Sequence, residues 1–110
     1  MYKPKDLASE SAAAYIWARG GGAVVGEPED MHKIMAFVCV NLGCVVFNVG
    51  FRNGPEVKAP TGQQDMVDCV LHILDNASKF GVNPNKACMA GISGGGWIAT
   101  GAMNLLVKAN

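Results

Sequence analysis

The sequence predicts an α/β fold in which three consecutive strand–helix units build a parallel sheet. Short apolar runs alternate with longer segments of helical periodicity, the pattern of βα units. Half of the 110 residues are hydrophobic and 16% are charged, which is enough apolar material for a packed core. Many of the 14 glycines fall in two clusters, each directly after a predicted strand. Because ligands bind at the carboxyl ends of parallel strands, the glycine clusters mark the candidate site.

The first unit is predicted to be a strand over Ala12–Ala18 and a helix over Glu29–Leu42. The strand segment is short and apolar, and it ends at a run of glycines. Acidic residues open the helix, where they suit its dipole, and Gly43 ends it. The helix is predicted from apolar residues that recur on one face: Met31, Ile34, Met35, Val38 and Leu42.

The second unit begins with the strongest strand signal in the chain, Cys44–Phe51, which is rich in β-branched and aromatic residues. Thr61 and Gln64 fit a T-x-x-Q capping box, which predicts the start of the next helix. That helix is expected to end near Phe80. Its apolar stripe consists of Met66, Val70, Ile73, Leu74 and Ala77.

The third unit carries the residue pattern that points most directly to chemistry. A strand over Ala87–Ile92 and a helix over Gly94–Val107 flank Ser93, and Gly91 to Gly95 read G-x-S-x-G. In that pattern, small neighbours allow a sharp strand-to-helix turn that exposes a nucleophilic hydroxyl. The helix N-terminus also favours negative charge that develops beside the serine. The alternative is a glycine-rich turn that needs small residues only for packing.

The first glycine cluster, Arg19 to Gly22, follows the first predicted strand. Backbone N–H groups in such a loop can hold an oxyanion. A phosphate-binding loop is the competing interpretation. The chain contains no G-x-x-x-x-G-K-[ST] motif, which argues against it. The second cluster does not fit the G-x-G-x-x-G motif either, because Ser93 stands where that motif has its second glycine.

Composition excludes several classes of function. Nine basic and nine acidic residues balance, which argues against nucleic acid or an anionic membrane as a partner. No apolar run is long enough for a transmembrane segment, and no signal peptide follows Met1, so we expect a cytoplasmic protein.

The four cysteines lack zinc-site spacing, and we expect buried thiols. Those cysteines are Cys39, Cys44, Cys69 and Cys88.

Taken together, these motifs resemble the hormone-sensitive-lipase-like esterases, the fold-3 group of α/β hydrolases. Residues 19–22 with Gly26 resemble the segment H-G-G-G-x-x-x-G, and residues 51–56 resemble Y-R-L-A-P-E. Residues 60–65 resemble P-A-A-x-E-D, residues 81–84 resemble a G-x-D-P turn, and residues 91–96 resemble G-D-S-A-G-G. The match extends from about Tyr2 to Ala109 and implies a fragment of the α/β-hydrolase fold.

The resemblance implies a serine hydrolase that acts on small carboxylic esters through an acyl-enzyme, without metal or cofactor. Ser93 would be the nucleophile, and the N–H groups of Gly21, Gly22 and Gly94 would form the oxyanion hole. Two further matching residues, Arg52 and Asp65, would hold a loop.

Two positions depart from the family's segments. Arg19 replaces the histidine that precedes the glycines and shapes the loop. Ile92 replaces the acid before the nucleophile. Both departures keep open a non-catalytic, receptor-like protein or pseudoenzyme of the same fold.

The sequence contains no candidate for the rest of a catalytic triad. The family order is serine, acid and then histidine, but residues 94–110 contain no His, Asp or Glu. His32 and His72 precede Ser93 and are expected on helix surfaces. We therefore expect residues 1–110 to be a partial domain, inactive alone, whose parent protein supplies the acid and base. A self-contained small βα protein is the remaining alternative, and the oligomeric state is left undetermined.

Overall fold

The computed structural model describes residues 1–5, 7 and 11–109 and confirms three parallel βα units. The sheet has the order β2-β1-β3, with both neighbours parallel to the central strand. Its strands are β1 (Ala12–Ala18), β2 (Val45–Val49) and β3 (Val82–Gly91). The helices are α1 (His32–Leu42), α2 (Thr61–Asp75), α3 (Ala77–Phe80) and α4 (Gly94–Ala109).

The central strand β1 has apolar side chains on both faces, as a strand between two layers of helix requires. Ile16 is fully buried in the larger core, which contains side chains of α2 and α4. Tyr15 and Trp17 point to the opposite face and pack on a smaller core beneath α1. Ala18, the last residue of β1, pairs with Val49 and Gly91, so all three strands end at one edge of the sheet.

The first helical segment differs from the prediction. Residues 28–31 form a 3-10 turn, in which the backbone N–H of Glu27 donates to Asp30, and the α-helix starts at His32. Met35 is buried, as predicted, but Ile34 and Leu42 are exposed. The reason is that the smaller core beneath α1 is narrow, so only a thin stripe of the helix is covered.

The start of α2 was also predicted wrongly. Thr61 is the first helical residue, Pro60 occupies the N-cap, and no side chain caps the helix, so the T-x-x-Q capping box does not form. The predicted apolar stripe is confirmed, since Met66, Val70 and Ile73 are buried. A break at Asn76 separates α2 from the single turn of α3.

Strand β3 begins earlier than predicted, at Val82 rather than Ala87. Ala12 pairs with Val82 and Ala14 with Ala87, so four residues of β3 lie opposite a single residue of β1. Asn83 and Pro84, the end of the stretch resembling a G-x-D-P turn, lie in this irregularity, in which the backbone N–H of Asn85 donates to Asn83 Oδ1 at 2.9 Å.

The cysteine prediction is only partly correct. Cys39 and Cys44 are buried, and burial raises the pKa of both thiols. Cys69 is half-buried and Cys88 is exposed. Cys88 lies on β3, which has β1 on one side and no second neighbouring strand among the described residues.

The N-terminal residues contact the outer edge of β2. Tyr2 forms an antiparallel bridge with Val46 through two backbone hydrogen bonds of 2.8 and 2.9 Å. The described residues include no helix that is long and apolar enough to cross a membrane.

Candidate active site

The fold brings the two glycine clusters together at the carboxyl edge of the sheet. Gly22 and Gly94 touch through their backbones, since a Cβ on Gly94 would lie 2.7 Å from the Cα and N of Gly22. Gly20 lies beside the serine turn, where a Cβ would be 3.7 Å from the Cβ of Ser93. The contact arises because β1 and β3 are paired neighbours that end together at Ala18 and Gly91.

Ser93 occupies a strained turn between β3 and α4. Its φ is 54°, in the left-handed region that side chains other than glycine rarely adopt, and the residue is exposed. The turn is closed by the N–H of Gly95, which donates to Ile92 O at 2.9 Å. Ile92 lies beside it and is 53% exposed.

Glycines at positions 91 and 95 allow this turn to sit against the sheet. A Cβ on Gly91 would lie 2.3 Å from Gly95 O, and one on Gly95 would lie 2.0 Å from Ala18 O. Real Cβ atoms do not approach carbonyl oxygens so closely. The start of α4 therefore packs on the ends of β1 and β3 through backbone atoms alone.

The loop of residues 19–26, which we call the glycine loop, is built from left-handed residues. Gly21, Gly22 and Ala23 have φ values of 118°, 64° and 59°. The carbonyl of Gly21 accepts the N–H groups of Val24 and Val25, both at 3.1 Å, which closes a tight turn. The N–H groups of Gly21, Gly22 and Gly94 donate to none of the described residues.

The segment that follows β2 holds the glycine loop in place. The amide of Asn53 accepts from Arg19 Nη2 at 2.9 Å and donates to Gly26 O at 3.3 Å. The backbone N–H of Gly54 donates to Ala23 O at 2.7 Å. Arg19 is almost completely buried, with its guanidinium 4.3 Å from the centre of the Phe51 ring.

Sequence reasoning missed the role of Asn53. The available signal was the departure at Arg19, because a buried guanidinium needs an acceptor. Asn53 is itself a departure from the Y-R-L-A-P-E segment, and the two departures meet in space. Arg19 and Asn53 therefore form a matched pair.

Arg52 and Asp65 form a bidentate ion pair. Arg52 Nη2 lies 2.8 Å from Asp65 Oδ1, and Oδ2 accepts both Nε at 3.1 Å and the backbone N–H of Arg52 at 2.9 Å. The hydrogen bond from Arg52 lowers the pKa of the Asp65 carboxyl below its ordinary value. The pair connects the segment after β2 to α2, in agreement with its expected role of holding a loop.

A cavity of about 190 Å³ adjoins the glycine loop. Its walls include Gly22, Lys58 and Trp97, and Gln63 at the start of α2. Gln63 is 5% exposed, and its Oε1 has no hydrogen-bond partner among the described residues. Sequence reasoning missed Gln63, which carries no motif signal of its own.

The two histidines contact other parts of the molecule. His32 Nδ1 is 3.1 Å from the hydroxyl of Tyr2, and His72 contacts Asn76 and the ring of Phe80. Neither histidine contacts Ser93 in the described part of the chain. The described residues also contain no group of His, Cys, Asp or Glu that could hold a metal ion.

Comparison with known proteins identifies the family. The family model described as alpha/beta hydrolase fold matches residues 15–110. The chain belongs to the α/β-hydrolase fold family. An AB hydrolase superfamily protein of Schizosaccharomyces pombe is 34% identical over 100 residues, which cover 90% of this α/β-hydrolase chain and 29% of the relative.

Solved structures support the same family. The bacterial heroin esterase superposes with a TM-score of 0.93 at 28% identity, over 97% of this chain and 33% of that protein. The hyperthermophilic esterase of Pyrobaculum calidifontis gives a TM-score of 0.90 at 32% identity, over 99% of this chain and 34% of that protein. This α/β-hydrolase chain thus spans about a third of the length of its relatives.

Proposed function

We propose that the protein containing this chain hydrolyses carboxylic esters through an acyl-enzyme on Ser93. The observation that carries the proposal is the left-handed turn at Ser93, directly beside the backbone contact between Gly22 and Gly94. This arrangement holds a hydroxyl in a strained, exposed position next to N–H groups that donate to none of the described residues. A strained residue that the surrounding structure enforces is characteristic of functional sites.

In the first step, Ser93 Oγ bonds to the ester carbonyl carbon while a base takes the hydroxyl proton. The carbonyl π electrons move to oxygen, and the N–H groups of Gly21, Gly22 and Gly94 stabilise that oxyanion. The electrons then return, the bond to the alcohol oxygen breaks, and the alcohol leaves with the proton. Water hydrolyses the acyl-enzyme by the same route and restores Ser93.

We place the base and its acidic partner outside these 110 residues, because His32 and His72 contact other side chains. A histidine oriented by Asp or Glu would supply the proton transfers. By this proposal the isolated 110-residue chain is inactive.

The names of the structural neighbours support this chemistry. One is a heroin esterase and another is a hyperthermophilic esterase. We therefore propose small carboxylic esters as the substrate class. A cavity of about 190 Å³ beside the glycine loop could receive part of such an ester.

The test is hydrolysis of a short-chain aryl ester by the complete gene product that contains these residues. Ser93→Ala is expected to lower kcat by roughly 10⁴-fold or more, because the nucleophile is lost. Ser78→Ala, an exposed serine on α3, is the matched control and is expected to leave kcat unchanged.

Equal activity of Ser93→Ala and the wild type would refute the assignment of the nucleophile. A folded wild-type protein without esterase activity would instead favour the receptor-like or pseudoenzyme alternative.

A further inference from the structure

The wall of the cavity beside the glycine loop contains a buried amide that is not fully paired. Gln63 is 5% exposed, and its Oε1 is buried with no hydrogen-bond partner among the described residues. Most buried side-chain oxygens in proteins accept a hydrogen bond, because leaving one unpaired costs free energy. Gln63 stands at the unspecified position of the segment that resembles P-A-A-x-E-D, so the resemblance assigns it no role.

Close packing between two helices holds the Gln63 side chain in this wall. The side chain lies against α4, where a Cβ on Gly101 would be 2.6 Å from Gln63 Cγ and 3.4 Å from Gln63 Nε2. The lack of a side chain at Gly101 therefore makes the room that Gln63 occupies. A side chain that is already held in place loses little further freedom when it binds a ligand.

The rest of the cavity wall is mainly apolar. It includes the side chains of Val24 and Trp97, and its other polar side chains are Arg52 and Lys58. Arg52 is paired with Asp65, and Lys58 is exposed. Ligand sites commonly combine apolar walls with a few placed polar groups. The amide of Gln63 is therefore the buried polar group that a ligand in this cavity can pair with.

The same cavity reaches the residues around the proposed nucleophile. Gly22 lines it, and Gly22 touches Gly94, the residue that follows Ser93. Trp97 lines it as well, and the backbone N–H of Trp97 donates to Ser93 O at 3.3 Å. One end of a bound ester can therefore lie in the cavity that Gln63 lines while its carbonyl lies beside Gly22.

We propose that Gln63 is a specificity-determining residue whose amide binds a hydroxyl group carried by the ester substrate. A hydroxyl matches either orientation of the amide, because it donates to Oε1 or accepts from Nε2. A methyl group of similar size would leave the amide unpaired, and sites built around a hydrogen bond reject such analogues strongly. This inference rests on the proposed function and narrows its substrate class to hydroxylated esters.

Matched esters test the proposal in the complete gene product that contains these residues. One series carries the hydroxyl on the acyl side, as aryl ω-hydroxyalkanoates of increasing chain length. The other carries it on the alcohol side, as monoacetates of diols. Each ester is compared with the analogue in which a methyl group replaces the hydroxyl. The wild type is expected to prefer the hydroxylated ester of one series by roughly tenfold or more in kcat/KM.

Substitutions at and around Gln63 assign that preference to the amide. Gln63→Met keeps a side chain of similar length without the amide and is expected to remove the preference. Gln64→Met, at the exposed neighbouring glutamine, is the matched control and is expected to keep it. Gly101→Ala retains the amide but pushes on Gln63 Cγ, so it is expected to weaken the preference.

Thermal unfolding separates this role from a structural one. Because Gln63 Oε1 has no partner among the described residues, Gln63→Met is expected to leave the thermal midpoint unchanged or raise it. The preferred hydroxylated ester is expected to raise the midpoint of Ser93→Ala, which binds it without turnover. That rise is expected to shrink when Gln63→Met is added. If Gln63→Met does not fold, Gly101→Ala takes its place in both measurements.

Equal preference in the wild type and Gln63→Met, or no preference for the hydroxyl in either series, would overturn the proposal. A stronger preference for a carboxylate in place of the hydroxyl would also overturn it, since Lys58 and Arg52 would then dominate recognition. Failure of the proposed function is distinct, because Ser93→Ala tests it. If Ser93→Ala is inactive while Gln63→Met keeps the wild-type preference, the esterase assignment stands and only the role of Gln63 is refuted.

Discussion

At Ser93 the backbone adopts a conformation that costs on the order of 1–3 kcal/mol for a residue with a side chain. The packing of the turn on the ends of β1 and β3 offsets this strain, and Gly91 and Gly95 allow that packing. The three glycines within residues 91–95 thus have two physical roles. Gly91 and Gly95 avoid collisions with carbonyl oxygens, and Gly94 allows contact with Gly22.

Neighbouring glycines in α4 provide a test of this steric account. Gly95→Ala would place a Cβ 2.0 Å from Ala18 O and is expected to lower the free energy of unfolding by about 2 kcal/mol or more. Gly96→Ala meets its nearest neighbour, Gly91 O, at 3.6 Å and is expected to be neutral or stabilising by up to about 1 kcal/mol. Thermal unfolding of both variants measures the difference. Equal midpoints would contradict close backbone packing at Gly95.

Between elements, the segment after β2 connects the glycine loop to α2. Asn53 and Gly54 bind the glycine loop, and Arg52 binds Asp65 in the second turn of α2. Residues 52–54 therefore set the position of two neighbouring parts of the site. The ion pair is partly exposed on the Arg52 side, so its contribution to stability is modest.

The pH dependence of stability tests the Asp65 link. The pKa of the Asp65 carboxyl is lowered in the folded state by its hydrogen bond to Arg52. Its contribution is therefore complete above the ordinary carboxyl pKa of about 3.9 and is lost as the pH falls through the lower folded value. We expect Asp65→Asn to lower the thermal midpoint at neutral pH, by an amount that shrinks below about pH 4.

Asp75→Asn, at the exposed end of α2, controls for the loss of one carboxylate. Asp75 forms no ion pair with a described residue, so this substitution is expected to leave the thermal midpoint at neutral pH nearly unchanged. A midpoint difference for Asp65→Asn that stayed constant down to the most acidic pH would argue against the ion pair.

On the scale of the whole molecule, large apolar surfaces remain exposed. Phe37 and Val40 on α1 are 68% and 74% exposed. Strand β3 also has an unpaired edge among the described residues. Exposed apolar faces and open strand edges favour association.

We therefore expect a polypeptide made of only these 110 residues to self-associate. Replacing two of the exposed side chains, as Phe37→Lys with Val40→Lys, should reduce that association, because it removes apolar surface. Asn41→Lys adds a charge to the same helix without removing apolar area and is the control. Sedimentation over a range of concentrations measures the change, and a compact monomer that unfolds cooperatively would contradict the expectation.

The sequence by itself determined the order of strands and helices, the parallel sheet, and the position of both glycine clusters at strand ends. These follow from local periodicity and from residue types that few other conformations accept. It did not determine the start of α2, where Thr61 fits a capping box that Pro60 displaces. It also did not determine the burial of Cys88 or Leu42, because burial depends on which elements cover a face.

Only the tertiary structure decided how the candidate site is assembled. The pairing of β1 with β3 places Gly22 against Gly94, and the return of the chain after β2 places Asn53 beside Arg19. These contacts join residues more than 30 positions apart, and no local pattern encodes them. The sequence therefore indicated the candidate residues Ser93, Gly22 and Gly94, whereas the packing of the sheet decided which of them lie in contact.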